Sequence, residues 1–359
     1  TLFPYTTLFR SSKEFSEKSG FLKRVETRSV TLQSWQTQEP EETRMNNTLK
    51  GMTMAGLAAV FWGSMGVAGQ YLLQNCHFTP MDLISIRMLL AGSIFVGIEF
   101  FLLKRGALKV FETKQNIIDL IIYTLTIIGT QLTFFVCIQY ANAPFAAVLT
   151  ATVPLWIMLF MFVFQHKHLT VKEIFCGIVA VAGVVLVVTG GSFKNFNVSG
   201  IGFWAGIGSG ITGAFYVLLP QKFIARVGSG LATSWALLLT GVSVTLFSHF
   251  WNEPLDWTVY SILAYAFIVL FGTIAAFWLF QAAAEIIPAD VAGMMETFDP
   301  VAATLLSMIF LGVSVNSWEC IGGALILGAV AFLAVPSKHP FLIHYSRKAR
   351  SKFSQTDKD

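Results

Sequence analysis

Apolar residues in this chain run on in long blocks instead of alternating with polar ones. From residue 51 onward, stretches of some twenty apolar residues are separated by short polar breaks. Crossing roughly 30 Å of hydrocarbon takes about 20 helical residues at ~1.5 Å each. Ten stretches reach or approach that length: 51–73, 81–103, 117–139, 143–164, 171–190, 200–221, 230–250, 258–281, 290–312 and 317–336. The pattern predicts an all-α integral membrane protein with ten transmembrane helices. The separations at 140–142 and 313–316 read as very short turns.

Charge orders these helices. Lys104, Arg105, Lys109 and Lys114 fall between the second and third stretches, Lys167 and Lys172 between the fourth and fifth, and Lys222 and Arg226 between the sixth and seventh. Lys338, Arg347, Lys348, Arg350, Lys352 and Lys358 follow the tenth. The alternate loops carry Lys194 together with the acids Glu253 and Asp256, and the loop between the eighth and ninth stretches has no basic residue. Basic residues favour the cytoplasmic side, so a multi-pass protein of the cytoplasmic membrane with both termini inside is expected.

Composition agrees with that reading. Of 359 residues, 55% are hydrophobic and 12% charged, against about a quarter charged in soluble domains; the mean hydropathy is +0.66. No continuous basic face is present for nucleic acid. Cys76, Cys137, Cys176 and Cys320 are widely spaced, without a metal-binding arrangement, so neither a metal nor a cofactor is expected. Thr1 to Ser11 match the in-frame translation of a sequencing-adapter oligonucleotide. Residues 1–44 are therefore read as a non-native or disordered extension, with Met45 as the expected start. The basic segment 337–359, with Phe341, Leu342 and Tyr345 beside its cations, suits contact with anionic lipid on the cytoplasmic side.

The two halves repeat. Gly129-Thr130-x-x-x-Phe134 recurs as Gly272-Thr273-x-x-x-Phe277, and Gly63-Ser64 as Gly208-Ser209. Ala143, Pro154, Glu173 and Gly177 recur 146 positions later as Ala289, Pro300, Glu319 and Gly323. Segments 45–190 and 191–336 are read as two five-helix repeats. An odd number of helices per repeat makes the second enter the membrane from the opposite face, and inverted repeats of this kind enclose a site near mid-depth.

Few polar residues lie at such depth, where a charge costs about 2.5–3.5 kcal/mol on insertion scales. Glu296 and Asp299 are three residues apart on the ninth predicted helix, roughly 9 and 13 Å in from the cytoplasmic side. Two carboxylates so close in low dielectric do not both ionise easily, which suits proton coupling or the binding of an amine; the plainer reading is a structural pair that caps a kink at Pro300 or binds the second helix. Arg87, on the second helix, is the candidate counter-charge, or else a packing arginine. Trp62, Ser64, Gln70, Gln131, Thr150, Tyr216 and Trp278 are the other polar or aromatic candidates for a mid-depth site. The glycines of the first and sixth helices, Gly63, Gly66, Gly69, Gly202, Gly206, Gly210 and Gly213, suit close helix packing.

Several segments carry a family resemblance: Phe61-Trp62-Gly63-Ser64, Ile86-Arg87-Met88-Leu89, Tyr140-Ala141 leading into Ala146-Ala147-Val148-Leu149, Pro154-Leu155, Asp299-Pro300-Val301, Phe310-Leu311-Gly312 and Gly322-Gly323-Ala324-Leu325-Ile326-Leu327-Gly328. In this order the chain resembles the drug/metabolite transporter superfamily, in its ten-helix branch with two EamA domains. Gln70 stands where similar proteins often have Lys, and Lys167 and Val313 where they often have Glu.

The function expected is secondary active transport of a small polar, amino-acid-like metabolite by alternating access, with proton coupling open. Efflux of lipophilic cations is the alternative within that class, and a passive channel or non-transporting scaffold the alternative outside it. Gly241-Val242-Ser243 and Gly312-Val313-Ser314 carry a short Gly-x-Ser pattern, but the His-Glu-x-x-His, Gly-x-Gly-Asp and phosphate-loop motifs are absent. No enzymatic activity and no catalytic residue is therefore expected. The partners implied are a small-molecule substrate and membrane lipid, without nucleic acid; a homodimer stays open.

Overall fold

The structure is a computed structural model that describes residues 41–102, 106–166, 169–191, 199–248, 257–284, 286–287, 291 and 295–334. Residues 1–40 of the extension, the tail 337–359 and the loop residues Lys104, Arg105, Lys167, Lys194, Glu253 and Asp256 lie outside these. The described residues are helical, and eight of the helices are long and apolar enough to span a membrane: α1 (Asn47–Asn75), α2 (Pro80–Phe101), α3 (Lys114–Tyr140), α4 (Ala143–Phe164), α5 (Val171–Thr189), α6 (Gly200–Val227), α7 (Ser229–Phe247) and α8 (Val259–Phe280). Two shorter apolar helices follow, α9 (Phe298–Leu311) and α10 (Ser317–Leu333). The protein is an all-helical integral membrane protein.

The helix ends explain why the chain turns where it does. The first N–H groups of a helix have no partner within it and are costly to strand near lipid. Thr79, Thr170 and Thr258 close capping boxes with Asp82, Glu173 and Ser261, while Asn142 accepts from Phe145 N and Ser199 from Gly202 N. The Asn142 cap allows the two-residue passage, Ala141–Asn142, from α3 to α4 at the predicted turn. At the other end of α9, Gly312 adopts φ +64° as a left-handed C-cap.

One boundary differs from expectation. The ninth stretch is expected to start at residue 290 and kink at Pro300, whereas the regular helix starts at Phe298, after a turn at Glu296–Thr297. Val291 and Met295 are helical ahead of that turn.

Helix packing follows a pattern that a shift of five helices leaves unchanged. The most extensive contacts are α2 with α7, α3 with α6 and α5 with α10, followed by α1 with α9 and α8. Adding or subtracting five maps α2–α7 and α5–α10 onto themselves and exchanges α3–α6 with α8–α1. Glycines make the closest approaches. A Cβ on Gly183 would come within 2.6 Å of Gly322 O, and one on Gly92 or Gly241 would meet the facing backbone of α7 or α2. Packing of this kind replaces the hydrophobic driving force that lipid does not supply.

Candidate functional site

Among the described residues two apolar segments that carry site candidates, α4 and the one leading into α9, are interrupted beside a proline, as α6 also is at Leu219–Pro220. Proline has no N–H to donate to the carbonyl four residues back, so Pro154 cannot bond Thr150 O and Pro300 cannot bond Glu296 O. α4 consists of Ala143–Thr150 and Val153–Gln165, with a turn between. Thr152 N donates to Leu149 O at 3.1 Å there, and Leu155 N to Thr152 O at 2.9 Å. Before α9 a similar tight bond, one position further on in the repeat, runs from Asp299 N to Glu296 O at 3.0 Å. Thr150 and Glu296, 146 positions apart, thus occupy corresponding elbows.

The elbows carry different chemistry. Thr150 Oγ1 donates to Ala146 O at 2.9 Å and lies 2.7 Å from Ser209 Oγ on α6, a fully satisfied hydroxyl pair. Glu296 is exposed, in the turn that precedes α9. Asp299 is half-buried, and its Oδ1 accepts no hydrogen bond among the described residues. Glu296 is close enough to act electrostatically on both Asp299 and the Tyr216 hydroxyl. The turn at Glu296–Thr297, just ahead of the kink expected at Pro300, puts Glu296 on the turn and Asp299 in the first turn of α9, and not both on one regular helical face.

The aromatic candidates divide. Tyr216 stacks on Tyr123 with ring centroids 5.6 Å apart, and Tyr123 Oη is 3.3 Å from Thr233 Oγ1. Trp62 packs edge-on against Phe277 at 5.5 Å and tilted on Phe280 at 5.2 Å. Trp278 is instead 58% exposed, on the same face of α8 as Phe271 one heptad earlier.

Arg87 is 1% exposed and has no carboxylate partner among the described residues. Its Nη1 donates to Met65 Sδ at 2.6 Å, its Nη2 donates to Gln131 Oε1, and its Cζ lies 4.9 Å from the Phe135 ring centroid. Arg87 and the Asp299 backbone meet α1 at different positions on its surface. Gly63 abuts Asp299 O and Ala303 N of α9, while Met65, two residues and about 200° further round α1, meets Arg87. Among the described residues Arg87, the candidate counter-charge, pairs directly with neither Glu296 nor Asp299.

Two other candidates serve the scaffold. Gln70 Oε1 accepts from Ala143 N at 2.8 Å, pinning α1 to the start of α4. Ser64 Oγ donates to Val60 O within its own helix at 2.6 Å. Sequence reasoning overlooked Ser209, Tyr123 and Glu99. Glu99, an acid inside an apolar stretch and so visible in the sequence, is 6% exposed in a π-helical turn at Ile98–Leu102. Among the described residues no three His, Cys, Asp or Glu side chains gather as a metal site.

The profile of the EamA-like transporter family matches residues 49–189 and again 200–335. The chain belongs to the EamA-like transporter family. The uncharacterized inner membrane transporter YicL of Salmonella typhimurium is 28% identical over 297 residues, covering 82% of this chain and 98% of that protein. The uncharacterized transporter YetK of Bacillus subtilis is 25% identical over 296 residues, covering 77% and 84%. A solved crystal structure shares the fold with a TM-score of 0.52 at 18% identity, over 82% of this chain and 96% of that one. The protein is thus a multi-pass membrane transporter of the drug/metabolite superfamily.

Proposed function

We propose that this EamA-family member is a secondary active transporter of the cytoplasmic membrane, not an enzyme, which moves a small polar solute carrying a positive charge by alternating access. Its two inverted five-helix halves, 45–190 and 191–336, rock about the cleft into which Glu296 projects, with both termini in the cytoplasm. The two acids hold the cation, or the proton exchanged for it.

One observation carries the substrate charge. Glu296 is accessible and Asp299 has an unsatisfied oxygen, whereas the candidate cation Arg87 is buried. A carboxylate in low dielectric attracts an ammonium far more strongly than it would in water, and Trp62 and Tyr216 add aromatic surface suited to organic cations. An amino-acid-like zwitterion is the second reading; the buried Arg87 Nε, which has no hydrogen-bond acceptor, is the observation in its favour.

A thermal-shift screen of amines, organic cations and amino acids identifies a ligand, because binding to the folded form raises its melting point. Flux of that ligand into proteoliposomes under an imposed pH gradient then tests the reading. Wild-type protein is expected to accumulate it uphill, and Glu296→Gln to insert normally but lose coupled flux. Wild-type flux from Glu296→Gln would end the role assigned to the acid, and purely downhill flux from the wild type would mark a channel.

A further inference from the structure

The starts of α3 and α8 carry contacts that no transport role has yet absorbed. Both helices bear the repeated Gly-Thr-x-x-x-Phe segment, and five crossings separate the two starts, so they lie at opposite faces of the membrane. Each start is tied to a helix-to-helix connection in the other half of the chain. At the start of α3, Arg226 from the last turn of α6 forms an ion pair with Asp119 and donates from Nε to Asn116 Oδ1 at 3.0 Å. Asn116 Nδ2 in turn reaches Lys109 O at 3.3 Å. At the start of α8, Tyr265 Oη donates to Asp82 O at 3.0 Å, in the first turn of α2. Phe78 and Trp257 pack around that phenol, each with its ring centroid 5.9 Å away.

We propose that Asp119–Arg226 and Tyr265–Asp82 O are opposed gates: the first holds one face of the transporter shut, the second the other. The inference rests on the alternating-access reading given above. Each contact bridges the two halves, so each must part when its face opens while the other persists. Their chemistry differs. The Arg226 and Asp119 side chains are 41% and 20% exposed, so both ions are partly hydrated already and separate at little cost. Tyr265 is 6% exposed, and its gate opens only when water enters to replace a buried hydrogen bond. The first gate is therefore screened by salt, and the second is not.

Spin-label distance measurements on the full chain in lipid nanodiscs test the pair without a substrate. Labels at Lys114→Cys and Ala225→Cys report the first face, and labels at Asn75→Cys and Tyr260→Cys the second, with exposed Cys320 replaced by Ser. Asp119→Asn is expected to raise the open population at the first face by roughly two- to fivefold, the range of an exposed ion pair, and the swap Asp119→Arg with Arg226→Asp to reverse much of that rise. Tyr265→Phe is expected to raise the open population at the second face by about fivefold, as for loss of one buried hydrogen bond. Raising salt on the wild-type protein is expected to loosen the first face only, a result that needs no gate variant to fold. Two exchanging populations at each face that ignore both variants and salt would overturn the gates while leaving alternating access standing. A single fixed distance at both faces in every sample would overturn both.

Discussion

The contact between α1 and α9 lends itself to a paired test, because α1 presents two glycines to α9 on one face, seven residues apart. A Cβ at Gly63 would lie 2.9 Å from Ala303 N and 3.0 Å from Ala302 Cβ, and would also strike Asp299 O. Two of these three atoms are backbone and cannot turn aside. A Cβ at Gly56 would meet only Phe298 Cδ2, at an ordinary 3.9 Å. Gly→Ala within a helix gains about 1 kcal/mol in propensity at either site. Overpacking against fixed backbone costs about 1–3 kcal/mol, and only Gly63 incurs it. Gly56→Ala is therefore expected to stabilise by up to about 1 kcal/mol, whereas Gly63→Ala ranges from near neutral to about 2 kcal/mol destabilised. Apparent melting temperatures at one scan rate in one detergent rank the two, since membrane proteins of this size seldom unfold reversibly. Because the clash at Gly63 falls on the Asp299 carbonyl, flux is expected to drop in that variant and to persist in Gly56→Ala. If Gly63→Ala melts at or above Gly56→Ala, the α1–α9 packing described above is wrong.

Three other substitutions probe separate parts of the structure. Gln70→Ala removes the acceptor for Ala143 N and is expected to lower stability by about 1–2 kcal/mol, read as a lower melting point with ligand affinity kept. Gln131→Leu takes a hydrogen-bond acceptor from a buried cation; it should destabilise more than the double change Gln131→Leu with Arg87→Met, because an uncompensated charge costs more than an apolar replacement. A double variant less stable than the single would disprove that account of Arg87. Trp278→Ala, at an exposed position, is expected to change stability by less than about 0.5 kcal/mol and to transport normally; loss of flux would bring Trp278 back into the site.

The sequence made the spans legible because lipid imposes a length and polarity that no packing detail can override. Seven of the eight long helices begin within about three residues of the predicted starts, α1 beginning about four earlier. The break before α9 was less legible: Pro300 announced a bend, but where regular helix resumes depends on the Asp299 N to Glu296 O bond, a tertiary matter. Arg87 shows the limit most plainly. Its depth could be read from its place in the second stretch, but the side of α1 on which it lies depends on how α1 turns between Gly63 and Met65, and periodicity does not fix that rotation when the helix is apolar all round. Gln70 shows a related limit. A polar side chain at depth satisfies either a ligand or a stranded backbone N–H, and only the neighbouring helix start at Ala143 decides between them.

The two elbows show how a duplicated scaffold becomes a directional machine. On the two-repeat reading, Pro154 and Pro300 impose the same break, so both halves expose unsatisfied backbone at the corresponding depth. Thr150 closes its elbow internally through Ser209. Its counterpart Glu296 lies exposed in the turn. If both elbows ended in hydroxyls, the halves would be chemically interchangeable and nothing would couple their motion to a charge. A single acid-bearing elbow makes the cost of rocking depend on whether the carboxyl is neutral, protonated or paired with a cation, because moving a bare charge through low dielectric is the expensive step. The expected signature lies in a transplant. Thr150→Glu, placing an acid at both elbows, should leave the protein folded but slow the exchange between its two faces, whereas Glu296→Thr should let the faces exchange freely without ligand. If Glu296→Thr instead freezes the exchange, the acid drives the rocking rather than restraining it, and the asymmetry argued here runs the wrong way.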